Sequence, residues 1–326
     1  MRRRDIILLL GLPALLRPLP GVAQASGRVR RIGWIESPRS STYFWTTVAE
    51  HLQPLGWTRG GNVRADMYVP THRDQLPKVA KEAVAARPDL IVTHGTPATI
   101  AAIAQTRTRP ILFFGVADPV GNGIVSNLPR PGGNVTGFTT FESAIAGKWV
   151  QILKEFDPLL RRVMILFNPE TTPNRSSPFV REFEATATSF QIEPILAYAQ
   201  DFSAVEPVVT ALATEPHGAL LVLPDDFILS YQSEIIDVVN RHRVPAIYGF
   251  RYAAATGGLV AYGPPTEASY QAMAVYIDRI LRGAKPRDLP VQAPTGYTLA
   301  INLRTAKRLG LSVPAAILAA ADEVVE

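Results

Sequence analysis

No cysteine occurs anywhere in the 326 residues. That excludes disulfides, a thiolate metal site, a cysteine nucleophile and a lipid-bearing cysteine behind a leader. Histidine is sparse, and His51, His72, His94, His217 and His242 show no metal-ligand spacing such as H-x-x-x-H. A phosphate-loop Gly-Lys-Ser/Thr is missing. The stretch Gly121-Asn-Gly-Ile-Val-Ser126 looks like a dinucleotide turn only superficially, because a proline-rich loop follows it instead of a helix. No serine sits in a G-x-S-x-G elbow. No catalytic residue, metal or cofactor is therefore assigned.

Charge is also in short supply, at 19% of residues and a formal +5. Four arginines and one aspartate of that balance fall in the first 25 residues, so the remainder sits near +2 and offers no basis for nucleic-acid binding. Those 25 residues stand apart: Arg2-Arg3-Arg4, the apolar run Ile6–Leu12, then Val22-Ala23-Gln24-Ala25 with an A-x-A cleavage pattern. They read as an export signal cleaved near Ala25, leaving a mature chain that starts at Ser26. Arg3-Arg4-Asp5-Ile6-Ile7 leaves the twin-arginine and general export routes both open. An exported chain without an anchor points to a periplasm.

What is present is an alternation of short apolar runs with helical stripes. Strands are expected at 30–35, 62–69, 89–94, 110–116, 162–167, 192–198, 218–223, 245–249 and 258–262, the pattern of βαβ units on parallel sheets. Glycines and prolines interrupt it from Asn122 to Phe141, and the rhythm restarts at Arg162. Two similar Rossmann-like α/β lobes, joined by three crossings, fit this better than one sheet. Residues 26–140 with about 264–285 would form the first lobe, and 141–263 with about 286–326 the second. A hinge is expected near 138–143, with a helix from about Ser143; Gly132-Gly133 would shape a turn rather than cradle a phosphate.

Ligands in such sheets gather beyond the carboxyl ends of the strands. The candidate residues are Ser37, Thr96, Pro97, Ala98, Asp118, Asn174, Asp225 and Tyr248, all in loops of that kind, with Tyr43 at a helix start. The helix opening at Thr96-Pro97 offers free amides and a positive dipole end to a ligand carboxylate, or Thr96 simply caps it. Asp118-Pro119 reads as a turn or as a ligand acceptor. One of Asp225 and Asp226 is expected to cap a helix over 227–242. Phe44, in step with Val48 and Leu52, is the core candidate, which leaves Tyr43 or Trp45 to stack on a ligand.

A series of motifs in order resembles one known group. Arg130-Pro-Gly-Gly-Asn-Val-Thr-Gly137 is the most distinctive, with Asp118-Pro-Val120, Val244-Pro-Ala-Ile-Tyr248, Asp288-Leu-Pro-Val-Gln292 and Ile301-Asn-Leu-Arg-Thr-Ala-Lys307. They look like the ABC-transporter substrate-binding proteins of the tryptophan/tyrosine type. The resemblance implies a type I periplasmic-binding fold and a small organic ligand, a carboxylate that is aromatic or amino-acid-like, delivered by a monomer to ABC permease subunits in the inner membrane. By that likeness Thr96, Pro97, Ala98 and Asp118 line the first lobe, and Asn174 and Asp225 the second. The sequence departs from amino-acid binders of the group at two places. Thr140 stands where they carry an acidic residue, and Asp225-Asp226 where they carry Asp-Asn, so an aromatic acid without an ammonium group is equally open. An exported α/β enzyme with Asp225, Asp226 or His94 as base, or a sensing subunit of a membrane receptor, would share the fold.

Overall fold

A computed structural model describes residues 28–38, 43–139, 141–171 and 178–326; the expected export signal, Thr140 and Asn174 lie outside them. The first sheet contains β1 (Arg30–Ile35), β2 (Val63–Tyr68), β3 (Leu90–His94), β4 (Ile111–Val116) and β5 (Val135–Thr139), in the order β2-β1-β3-β4-β5. All its pairings are parallel. β3 and β4 in its middle are near-continuous apolar runs because both faces are covered by helices, whereas the edge strand β2 carries Arg64 and Asp66. The connecting helices are α1 (Tyr43–Leu52), α2 (Leu76–Ala85) and α3 (Thr96–Gln105).

The second sheet holds β6 (Arg162–Phe167), β7 (Glu193–Tyr198), β8 (Gly218–Val222), β9 (Ala246–Tyr248), β10 (Val260–Gly263), β11 (Thr298–Asn302) and β12 (Glu323–Val325). Its order is β12-β11-β10-β9-β8-β6-β7, parallel except for β10 against β11. Around it lie α4 (Ile145–Phe156), α5 (Pro178–Ser189), α6 (Val205–Ala213), α7 (Asp226–Ser230), α8 (Gln232–Arg241) and α9 (Tyr252–Ala255). The chain then passes back: α10 (Thr266–Leu281) buries Tyr270, Met273, Ala274 and Ile277 in the cluster under the first sheet, beside Trp34, Trp45 and Leu52. Finally α11 (Leu303–Leu309) and α12 (Ala315–Ala320) return to the second.

The nine expected strands are present within one or two residues at each end, and three more appear. β5 runs inside the Gly/Pro-rich interruption: Gly132 and Gly133 hold φ of 73° and 62°, turning the chain into it. Gly137, within the strand, accepts the close approach of the Phe113 carbonyl, where any β-carbon would overlap it. The second lobe also begins later than expected at its third crossing. Residues 286–292 stay with the first sheet, where Leu289 and Val291 are buried and the Thr136 hydroxyl donates to the Leu289 carbonyl at 2.7 Å. The Thr139 amide donates to the Gln292 carbonyl at 2.8 Å, so two of the crossings run side by side before they diverge. The single helix expected over 227–242 is two, broken at Tyr231, whose φ of −120° and ψ of 19° are not helical.

Candidate functional site

The carboxyl ends of β3, β4, β5, β6 and β8 face one another, and the loops leaving them enclose a cavity of about 380 Å³. Thr96, Asp118 and Thr139 reach it from the first sheet's side, and Phe141, Phe179 and Asp226 from the second's. Its volume suits one small molecule. The walls are largely apolar, and among the described residues four carboxylates line it (Asp118, Glu142, Asp225 and Asp226) while no Lys or Arg does.

The two adjacent aspartates do different work, because neighbouring residues at a helix start point apart. Asp225 caps α7: one carboxylate oxygen accepts the Ile228 amide at 2.8 Å, and the other accepts the Asn168 amide at 2.7 Å. It thereby ties β6 to β8, and its role as a wall of the cavity is secondary to that of a brace. Asp226 points across the cleft instead. Its carboxylate stands against Gly95, the N-cap of α3, at φ 85° and ψ 164°. Asp226 Oδ2 is buried and has no hydrogen-bond partner. Burial is the main reason its pKa is pushed up to about 6, with the Asp225 charge adding to it; His94, a hydrogen bond from Ser37 and Arg73 pull the other way.

Beneath this contact lies a buried ion pair. Glu36, at the end of β1, is fully buried, and its Oε2 lies 2.9 Å from His94 Nδ1 at the end of β3. The Trp34 indole N–H donates to Glu36 Oε1 at 2.5 Å. Burial disfavours the charged imidazole, but the Glu36 carboxylate beside it more than offsets this, so the His94 pKa lies above its ordinary value. The His94 ring packs 4.4 Å from Phe44 and 5.7 Å from Phe114, and Tyr270 touches both phenyl rings.

The expected site residues divide accordingly. Thr96, Asp118 and Asp225 line the main cavity; Ser37 and Pro97 line a second opening of about 270 Å³ beside it, together with Arg73 and Tyr231. Thr96 is the first helical residue, not the cap, which is Gly95. Asp118 is held in a turn at φ 43°, its Oδ1 accepting the Gly121 amide at 2.8 Å. Ala98 is buried in the core against the first sheet. Tyr248 is 3% exposed, packed in the second sheet's core against Gly258, and lines none of these cavities. The side chain of Tyr43, like Asn174, lies outside the described residues.

The aromatic assignment at α1 is reversed: Trp45 is the core residue, 4% exposed and tilted against Trp34 at 5.7 Å, while Phe44 turns toward the cleft. Trp45 carries the larger apolar surface, and burying it under the sheet is worth more. Glu36, Phe141 and Phe179 were missed. Glu36 was legible only as the residue at a strand end, and nothing local marks its histidine partner 58 positions away.

Two lobes meet in direct contacts here. The Ser230 hydroxyl donates to the Pro38 carbonyl at 3.0 Å, and Arg73 pairs with Glu170 at 3.0 Å. The structure is therefore a closed form, with the cavity between the lobes.

Comparison with known proteins agrees with this architecture. A curated "Tyrosine-binding protein" of Clostridioides difficile (strain R20291) is 26% identical over 264 residues, covering 80% of this chain and 74% of that one. A Streptococcus pneumonia ABC domain solved in complex with L-Trp is 23% identical and superposes with a TM-score of 0.81, covering 91% of this chain and 100% of that one. A ligand-free, open substrate-binding protein of Clostridium difficile, 22% identical, gives a TM-score of 0.65 over 91% of this chain and 99% of that one. The sheets and their order are those of the type I periplasmic-binding fold. The family model for the ABC transporter substrate binding protein matches residues 40–325, and the chain belongs to that family.

Proposed function

We propose that the protein is an exported receptor that captures a small, partly aromatic organic solute between its lobes and delivers it unchanged to an ABC permease. The observation that carries this reading is the cavity of about 380 Å³ closed by loops from both sheets, with apolar walls and few polar groups. Closure is the mechanism: a ligand touching both walls favours the closed state by its difference in affinity for the two states. The leader-like N-terminus supports export and a periplasmic location. The tyrosine and tryptophan ligands of the relatives support an aromatic body.

Two of the three groups considered as catalytic bases are held by other partners, and the third, Asp226, is what the turnover test below addresses. His94 is committed to Glu36, and Asp225 accepts two backbone amides. Thermal unfolding in a panel of aromatic acids, amines and amino acids tests the reading. A ligand at 100 times its dissociation constant should stabilise by about 2.7 kcal/mol. Mass spectrometry should then recover that ligand unaltered after prolonged incubation; a chemically changed product would refute the receptor.

A further inference from the structure

Asp226 is a partly buried residue whose Oδ2 is fully buried, and its charge has no counter-ion of its own. The charged groups that face it are His94 from the end of β3, Arg73 ahead of α2 and its neighbour Asp225. Each of the two cations already has a carboxylate: His94 pairs with Glu36, and Arg73 with Glu170. The remaining neighbour, Ser37, is neutral, and Asp226 Oδ2 has no hydrogen-bond partner. A buried carboxylate in that state is unfavourable unless something supplies the missing positive charge.

Two further features point the same way. The start of α3, where a ligand carboxylate would sit, already faces the Asp226 carboxylate across Gly95, and a second anion there would be repelled. Next to it, a small recess of about 50 Å³ is walled by Phe44, Phe114, Phe250, Tyr252 and Tyr270, and by the His94 ring, whose charge Glu36 offsets. That recess shares Gly115, Thr139, Pro224 and Asp226 with the main cavity, so the carboxylate lies where the two meet. Ring faces beside a carboxylate are the chemistry that holds an ammonium group.

We propose that the ligand is an organic cation, a protonated or quaternary amine on an apolar or aromatic body without a carboxylate, its nitrogen seated between the Asp226 carboxylate and the aromatic recess. Asp226 is the residue that sets this specificity. The inference rests on the receptor reading above and narrows its ligand class. An ammonium beside the carboxylate would neutralise the Asp226 charge and leave the hydrocarbon body in the larger cavity. The selection is also negative, because a carboxylate-bearing analogue would meet Asp226 in a cavity that Glu142 and Asp118 also line.

The test is calorimetric titration of the whole chain with four matched probes: phenethylamine, phenethyltrimethylammonium, 3-phenylpropionate and 2-phenylethanol, each at pH 8 and pH 5. Both amines should bind wild type at least about tenfold tighter than the propionate at pH 8. Phenethylamine should weaken on going to pH 5, because its partner becomes protonated through a pKa of about 6, whereas the propionate should strengthen. Asp226→Asn should cost phenethylamine about 10- to 150-fold, the loss of one hydrogen bond to a charged group, should cost the quaternary probe, which has no N–H and loses only the charge attraction, less than that, and should close the gap to the propionate. The opposite pH trends in wild type keep the test decisive if that variant folds poorly. A propionate that binds as tightly as the amines, or an amine indifferent to both Asp226→Asn and pH, would overturn the inference and leave the receptor reading standing. Failure of all four probes also overturns it, and the receptor reading is then judged on the wider thermal screen alone.

Discussion

The carboxylate of Asp226 and the α-carbon of Gly95, 131 positions apart in the chain, are in contact across the cleft, so close that a β-carbon at Gly95 would overlap the carboxylate. One residue opens α7 in the second lobe and the other caps α3 in the first. Their meeting defines the closed state, and glycine is required twice over, by that approach and by its φ of 85°.

Gly95→Ala should therefore separate folding from closure. The left-handed backbone costs about 1–2 kcal/mol in any state, whereas the clash with Asp226 exists only when the lobes are shut. We expect a modest fall in thermal stability and a loss of ligand affinity of at least about tenfold. Adding Asp226→Ala to the same chain should leave the stability loss but relieve the clash, which small-angle scattering of the ligand-free double variant would register as a more compact particle. Equal compactness of single and double variants would argue against the contact as the limit on closure.

Protonation of Asp226 should control how readily the empty receptor shuts. Its pKa is raised from 3.8 to about 6 by burial, so in the closed state the ionised form carries a cost on the order of 2–3 kcal/mol above pH 6. That cost shrinks as pH falls through 6 and vanishes below the ordinary carboxylate value. The ligand-free protein should therefore be more open at pH 8 than at pH 5, and Asp226→Asn should remove the difference. Scattering profiles that superimpose at the two pH values for wild type would count against it.

The Glu36–His94 pair makes a prediction of opposite sign. The His94 pKa lies above 6.5, so the pair's contribution is fully present below that value and is lost as pH rises through the raised pKa. Removing Glu36 leaves a histidine buried without its counter-charge, which typically costs about 3–5 kcal/mol. In chemical unfolding, Glu36→Gln should be clearly less stable than wild type at pH 6, and the gap should narrow in alkaline buffer. A gap that widens with pH would mean that the histidine is neutral in the fold.

Tyr248 serves as a control inside the second lobe. Its hydroxyl is buried with no hydrogen-bond partner, and burial raises its pKa. Removing an unsatisfied polar group is neutral or favourable, so Tyr248→Phe should change stability by 0 to about +1 kcal/mol and leave ligand affinity untouched. A loss of affinity would place Tyr248 in the binding site after all.

Much of the frame was legible in the sequence, because parallel strands buried on both faces are short apolar runs and nine of them announced themselves. β5 did not, since its Gly-Asn-Val-Thr-Gly sequence has the composition of a turn and becomes a strand only through pairing with β4. β12 is three residues long and depends on β11 for its ladder. At the site, the strand-end loops were foreseeable from topology alone, and so was the division of labour between two adjacent aspartates. Which of them braces and which crosses the cleft was not, for that is fixed by Asn168 and Gly95, each distant in sequence. The α1 aromatics show the same limit: helical spacing favoured Phe44 for the core, and the presence of Trp34 on the neighbouring strand selected Trp45.

The most direct test of the account is whether ligand draws the lobes together. The absence of cysteine makes this straightforward, since Lys78→Cys on α2 and Ser233→Cys on α8 would carry the chain's only two spin labels. Both positions are exposed, one on each lobe. Pulsed electron resonance should show a broad distance distribution in the empty protein at pH 8, collapsing to a shorter and narrower one when the compound with the largest thermal shift is added at saturation. A distribution that stays unchanged at saturating ligand would contradict capture by closure.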